Sequence, residues 1–171
     1  VKEMYKTSER TIVIKDNETT LENVKMTANF SNVTISTDSQ SDIYIDEQFV
    51  GKGKWSGRLS EGTHFVEAKK LNHKTSSKNI NVVLGKNENI EVNNPEPING
   101  HLDINSDPMD ADIYIDGKYY GTTPNVIADL LIGNHELKLE KKGCAPLYKK
   151  IIIKEGETLS LNETMTTGRE V

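Results

Sequence analysis

The chain has 171 residues, of which 35% are hydrophobic and 27% charged, and its formal net charge is −5. Its longest basic runs are the dipeptides Lys69-Lys70, Lys141-Lys142 and Lys149-Lys150, so no basic field exists to displace counterions from phosphates, and nucleic acid is excluded as an expected partner. The one cysteine, Cys144, cannot staple the chain internally. No stretch approaches the ~18–20 apolar residues of a membrane helix, and no secretory signal is visible.

This length accommodates two small domains of roughly 70–100 residues each. Such units have little interior for their surface and are only modestly stable. In chain order, residues 1–28 are expected to be the last strands of a preceding, partial repeat. There "TIVIKDNETTL" (11–21) lines up with "NVVLGKNENIE" (81–91) and with "IIIKEGETLSL" (151–161). A first complete unit is expected over 29–94: "NVTIS" (32–36), "DIYID", "EQFVG", "WSGRLSEG", "THFVEAKK" and "KNINVVLGKNENIEV". Within it, "GKGKWSG" lacks the spacing and following helix of a phosphate loop, so its glycines read as bends between strand and loop. Residues 95–99 form a linker that Pro95 and Pro97 stiffen.

The second unit, 100–165, repeats the order of the first, and a tail of residues 166–171 follows. The pentapeptide Asp-Ile-Tyr-Ile-Asp begins at both Asp42 and Asp112, with Gly51 and Gly121 following at the same offset of 70. Gly62 with Gly133, and His64 with His135, correspond at 71. A shared offset is the mark of a duplicated structural unit. The dominant period is two: Ala111, Ile113 and Ile115 face one way, and Asp112, Tyr114 and Asp116 the other. Turn residues interrupt these runs, and no window carries a helical stripe. The predicted fold is all-β, a tandem of small antiparallel β-sandwich repeats, prealbumin-like or Ig-like, of about 70 residues and six or seven strands each. Asp116-Gly117 suits a tight hairpin that needs positive φ. The first unit has Asp46-Glu47 there, so a different turn is expected.

No residue set predicts catalysis, a metal or a cofactor. His64 and His135 occupy one repeated position, which points to a repeated structural job. His73 and His101 have no partner pattern, and no nucleophile–base or metal-ligand spacing occurs. Asp103, Asn105 and Asp107 superficially resemble a calcium loop, but Pro108 stands where the loop needs Gly and Tyr114 where it needs a bidentate Glu. The Asn-x-Ser/Thr triplets at Asn17, Asn29, Asn32 and Asn162 read as chance features of an Asn- and Thr-rich chain. The aromatics carry the expectation of binding. Tyr44 and Tyr114 have outward parity, while Phe49, Trp55, Tyr119 and Tyr120 sit in or near the following hairpin. Exposed rings with polar edges serve glycan stacking and protein contact alike. They equally cover a sheet or seal units together. Trp55, the sole tryptophan, stands where the other unit has Pro124 and is expected in a contact surface.

The stretch "GHLDINSDPMDADIYIDGKYYGTTPNVIADLLIGNHELKLEKKGCAP" resembles the PEGA domain. The shared pattern is a Pro-x-x-Ala turn (Pro108–Ala111), hydrophobic-Tyr-hydrophobic, Asp-Gly-Lys, Gly-x-Thr-Pro and Gly-x-His. The first unit is a degenerate match, with Asp38-Ser39-Gln40-Ser41 at the turn and Lys54-Trp55 for Thr123-Pro124. The resemblance implies small, often tandem, all-β modules of exported and surface-layer-associated proteins, with structural or adhesive roles, suggested sugar binding and no catalytic residues. The expected function is thus non-catalytic: an exported envelope or surface protein, periplasmic or cell-surface, with a structural or protein-interaction role. The alternative is a carbohydrate-binding module. Expected partners are envelope proteins or polysaccharide. The flavour of the sequence suggests a Bacteroidetes-like envelope protein, and a lipid anchor is a further expectation.

Overall fold

The structure, a computed structural model, describes residues 4–168 and contains strands but no helix among them. The first eight strands are β1 (Phe30–Ser36), β2 (Asp42–Ile45), β3 (Gln48–Lys52), β4 (Lys54–Ser60), β5 (Gly62–Lys69), β6 (His73–Lys74), β7 (Ser76–Val82) and β8 (Glu88–Glu91). There follow β9 (Glu96–Pro97), β10 (Asn99–Asp107), β11 (Asp112–Ile115), β12 (Lys118–Thr122), β13 (Asn125–Leu131), β14 (Gly133–Glu140), β15 (Leu147–Ile153) and β16 (Thr158–Thr164). The chain divides into two compact units.

In the first unit a three-stranded sheet, β4-β1-β8, lies over a four-stranded sheet, β3-β2-β5-β7. The period-two pattern places Val33, Ile35, Ile43, Ile45, Val66, Ala68, Ile80 and Val82 between them as a dry core. The second unit repeats this with β13-β10-β16 over β12-β11-β14-β15. Its core includes Leu102, Ile104, Ile113, Ile115, Leu137, Leu139, Ile151 and Ile153. Pairing is antiparallel, except that the first and last long strands of each unit lie side by side in parallel, β1 with β8 and β10 with β16. The second unit also takes in Leu71–Lys74, which the sequence pattern had placed in the first: β6 pairs with β9, and Asn72 donates to the Ile132 carbonyl at 2.7 Å.

In the second unit one polar knot explains the Pro-x-x-Ala and Gly-x-Thr-Pro motifs. Ser106 and Thr123 are buried. The Ser106 hydroxyl donates to the Pro108 carbonyl at 2.7 Å, so the Thr123 hydroxyl donates to Ser106 Oγ, 2.5 Å away. Thr123 Oγ1 in turn accepts from the Ala111 amide at 3.0 Å. The buried Ser106 and Thr123 hydroxyls and the Ala111 amide are thereby paired, as burial demands. In the first unit, Asp38 holds the turn instead, through the Ser41 hydroxyl and the Gln40 amide; the Ser41 bond leads the influences that lower the Asp38 pKa.

Two sequence expectations change. The Asp46-Glu47 turn is the same as Asp116-Gly117: φ is positive at Asp46 (48°) and Glu47 (68°), as at Asp116 (49°) and Gly117 (78°). Both are therefore the primed type that matches strand twist. Glu47 accepts a left-handed backbone because bonds from β5 fix the Asp46 side chain and amide. Second, residues 6–27 form no strand. Ile12, Val13, Ile14 and Leu21 are exposed, for an extended segment needs a ladder partner. The segment still makes a recognisable turn, from the Lys15 carbonyl to the Glu18 amide, with Asn17 at positive φ. The same turn closes Val83–Lys86 with Gly85 and Lys154–Glu157 with Gly156. Matching the positive-φ residues shifts the sequence alignment, so that Ile12 and Ile14 correspond to Ile80 and Val82 and to Ile151 and Ile153.

Candidate functional site

The sheet faces turned away from each core carry the exposed chemistry. In the second unit one line of residues crosses all four strands of a sheet in register: Tyr119 on β12, Tyr114 on β11, Lys138 on β14 and Tyr148 on β15. Their parity follows from the core: Ile113, Ile115, Leu137, Leu139 and Ile151 point in, so these point out. The Tyr114 and Tyr119 rings lie 5.5 Å apart, tilted by 56°. The Lys138 ammonium stands 5.4 Å from the Tyr114 ring centre and 5.8 Å from that of Tyr148, bridging the gap between them by cation–π contact. Glu140, 2.6 Å from Lys138 Nζ, is the leading influence that raises the pKa of that ammonium. Desolvation, followed by the Asp112 carboxylate, raises the Tyr119 phenol. Tyr119 and Tyr148 are each more than half exposed, at 53% and 62%. Beside the ladder lies a shallow depression of about 390 Å³, lined by Tyr114, Asp116, Gly117, Glu136 and Lys138.

The equivalent line in the first unit reads Phe49, Tyr44, Glu67, Ser77. Phe49 and Tyr44 pair edge to face at 5.7 Å, and Lys69 stands 4.5 Å over Tyr44. The far side has no ring, so this face is a shortened version of the other.

The structure thus brings together Tyr44 with Phe49 and Tyr114 with Tyr119, and sets Trp55 and Tyr120 apart from them. Tyr120 packs against the second core. Trp55 packs against the first and fills the bay over Gly57, where an added Cβ would lie 2.2 Å from its ring. Its parity is inward, shared with Leu59. Tyr148 was not singled out from sequence because it precedes Lys149-Lys150 and reads as part of a charged run. Counting by twos from Ile151 and Ile153 would have found it.

His64 and His135 are set alike. His64 Nδ1 lies 2.6 Å from Asp46 Oδ2, and Nε2 2.9 Å from the Ser60 carbonyl. His135 Nδ1 lies 2.6 Å from Asp116 Oδ2, and Nε2 2.7 Å from the Leu131 carbonyl. The second oxygen of each carboxylate accepts a backbone amide, from Phe65 or Glu136, at 2.9 Å. Burial opposes the charge on His64, but the Asp46 carboxylate and the Ser60 carbonyl outweigh it and raise its pKa above 6.5. Burial likewise opposes charge on Asp46, and the His64 and Phe65 bonds overcome it to lower that pKa. Asp116 is lowered chiefly by the Glu136 amide and then by His135. Both rings are committed to holding strands together. Among the described residues no group of three or more His, Cys, Asp or Glu could hold a metal ion, and Asp103, Asn105 and Asp107 form no such set. Among the described residues no helix is long and apolar enough to cross a membrane.

Comparison with known proteins bears on the second unit first. No curated protein matches the chain. Among solved structures it is similar to the Bacillus anthracis TIE protein, with 18% identity and a TM-score of 0.55 over 83% of this chain and 35% of that one. The chain therefore spans about a third of that structure's length, and the likeness is one of fold. GBS52, the minor pilin of Streptococcus agalactiae, aligns over 82% of this chain and 97% of its own, with 12% identity and a TM-score of 0.38. A leucine-rich repeat protein from Bacteroides thetaiotaomicron aligns over 82% and 27%, at 8% identity and a TM-score of 0.24. Those two scores fall too low to carry an argument. The family model that matches, over residues 99–169, identifies the second unit as a PEGA domain.

Proposed function

We propose that this chain is a non-catalytic part of an exported cell-envelope or surface protein and acts through structural contact with envelope proteins. The observation that carries this reading is the Tyr119–Tyr114–Lys138–Tyr148 line on an outer sheet face. Tyrosine rings at a surface give contact area with little conformational entropy to lose. The PEGA domain at 99–169 supports the setting. The same line favours a second reading, a carbohydrate-binding module, since a row of rings suits the flat faces of successive sugars.

Co-sedimentation of the chain with an envelope fraction separates the two. Protein contact predicts binding that disappears when the fraction is treated with protease. Sugar stacking predicts binding that survives protease and is competed by soluble envelope polysaccharide. Tyr148→Ala lowers binding about tenfold in either case, as removal of a contact hot spot would. Undiminished binding by Tyr114→Ala and Tyr148→Ala together rejects the site.

We further propose that residues 29–94 are a diverged second copy of the PEGA fold and that residues 1–28 derive from the closing strands of another. Shared strand order and the shared His–Asp pair support the first point, and the shared turn at Asn17 the second. Replacing residues 151–158 in the whole chain by residues 12–19 should leave the second unit folded. Loss of its cooperative melting would count against that kinship.

A further inference from the structure

Each unit contains one imidazole with an acceptor at both nitrogens. A backbone carbonyl can only accept, and so can an ionised carboxylate, so both bonds require an N–H from the ring. A neutral imidazole has one. With one proton gone, a nitrogen lone pair would face the Ser60 or Leu131 carbonyl oxygen at 2.9 or 2.7 Å, or the carboxylate at 2.6 Å; at His64 the Ser60 hydroxyl, 3.4 Å from Nε2, offers a long and weak alternative donor. Neither the distance nor the burial allows water to intervene: side-chain exposure is 11% for His64 and 12% for His135.

The position of each ring gives this charge a mechanical consequence. His64 is on β5 of the four-stranded sheet, Asp46 begins the β2–β3 turn, and Ser60 ends β4 of the three-stranded sheet. His135, Asp116 and Leu131 occupy the same three places on β14, the β11–β12 turn and β13. One ring therefore ties a hairpin turn to its own sheet and that sheet to the one across the core. Among the described residues, Asp46 is the charged group bonded to His64, and Ile80 lies opposite on β7. Asp116 is bonded to His135, Ile151 lies opposite on β15, and Glu136 and Lys150 line a second depression, beside the ring.

We propose that His64 forms a pH-set latch, closed across the first sandwich while the ring is an imidazolium and released when it loses a proton. A group whose pKa is higher folded than unfolded contributes its full stabilisation below the unfolded value, near 6.5 for histidine, and loses it as pH rises through the folded value. The latch is thus shut below about pH 6.5 and opens as pH rises through the higher folded value.

Long-range ¹H–¹⁵N NMR of the whole chain reads ring protonation directly. The His64 ring should be doubly protonated at pH 6, and the melting temperature of the first unit should fall by about 5 °C or more between pH 6 and 8.5. In the variant Asp46→Asn, the amide nitrogen can donate to Nδ1 while its oxygen still accepts the backbone amide. The neutral ring then fits, and asparagine tolerates the left-handed turn. That variant should stay folded, with the His64 ring neutral at pH 7.5 and a first-unit melting temperature that is nearly flat over the same range. A His64 ring found neutral at pH 6 in the unaltered chain, or an unchanged pH slope in the variant, would overturn the latch. If the variant fails to fold, His64→Gln provides the flat-slope test in its place.

Discussion

Thr123 is a small residue with a large responsibility. Its hydroxyl accepts the buried Ala111 amide and donates to Ser106, so valine in its place would leave that amide without a partner in a dry setting. Thr123→Val should destabilise the second unit by about 1–3 kcal/mol, the usual cost of an orphaned buried donor, as measured by denaturant unfolding. Glu47 presents the opposite case. It holds φ at 68°, a conformation that glycine adopts freely and other residues at a cost. Glu47→Gly should raise the stability of the first unit by about 0.5–1 kcal/mol, visible as a higher denaturation midpoint. At this scale the sequence was partly legible. Asp116-Gly117 announced its turn, whereas Asp46-Glu47 concealed an identical one, because the stabilising bonds to Asp46 come from His64 and Phe65, remote in sequence. The outward parity of Tyr44 and Tyr114 was legible in the alternation of their strands, while the inward parity that Trp55 shares with Leu59 was not.

Among the strands, β10 shows how tightly the two layers close. A Cβ on Gly100 would meet the Lys154 carbonyl oxygen at 2.1 Å. At the corresponding place in the first unit, Ser31 uses its hydroxyl to bond the Val83 carbonyl at 2.8 Å. The backbone of the second unit has closed onto the glycine, where the first keeps room for a side chain. Gly100→Ala should therefore cost the second unit about 1–3 kcal/mol through overpacking, with the loss seen in hydrogen exchange of the β10 and β15 amides. Strand identity was the most legible property of the chain, because alternation at Ile43/Ile45 and Ile113/Ile115 has one structural solution. The exception, "TIVI" at 11–14, has strand composition but no ladder partner among the described residues. Composition records the tendency to form a strand; a ladder takes two.

At the scale of the whole chain, two small cores are built by one recipe, with the exposed faces diverging. Lys69 over Tyr44 echoes Lys138 over Tyr114, yet Ser77 lies where the other unit has Tyr148. The sequence pointed to a shared strand order, which the two units have, but could not rank the two faces, since that depends on which residues line up across strands distant in sequence. The parallel placement of first and last strands adds a property of another kind. Adjacent parallel strands mean that the chain enters and leaves each unit at opposite ends, so tension applied along the polypeptide slides the terminal strands past one another. Bonds loaded by sliding share the force and break together, whereas bonds loaded by peeling break singly. His101–Asp107 faces Thr158–Thr164 along the whole strand, while Val33–Ser36 faces Glu88–Glu91 over a shorter span. Stretched from its ends in an atomic-force experiment, the PEGA domain should rupture at the higher force, with the first unit yielding before it.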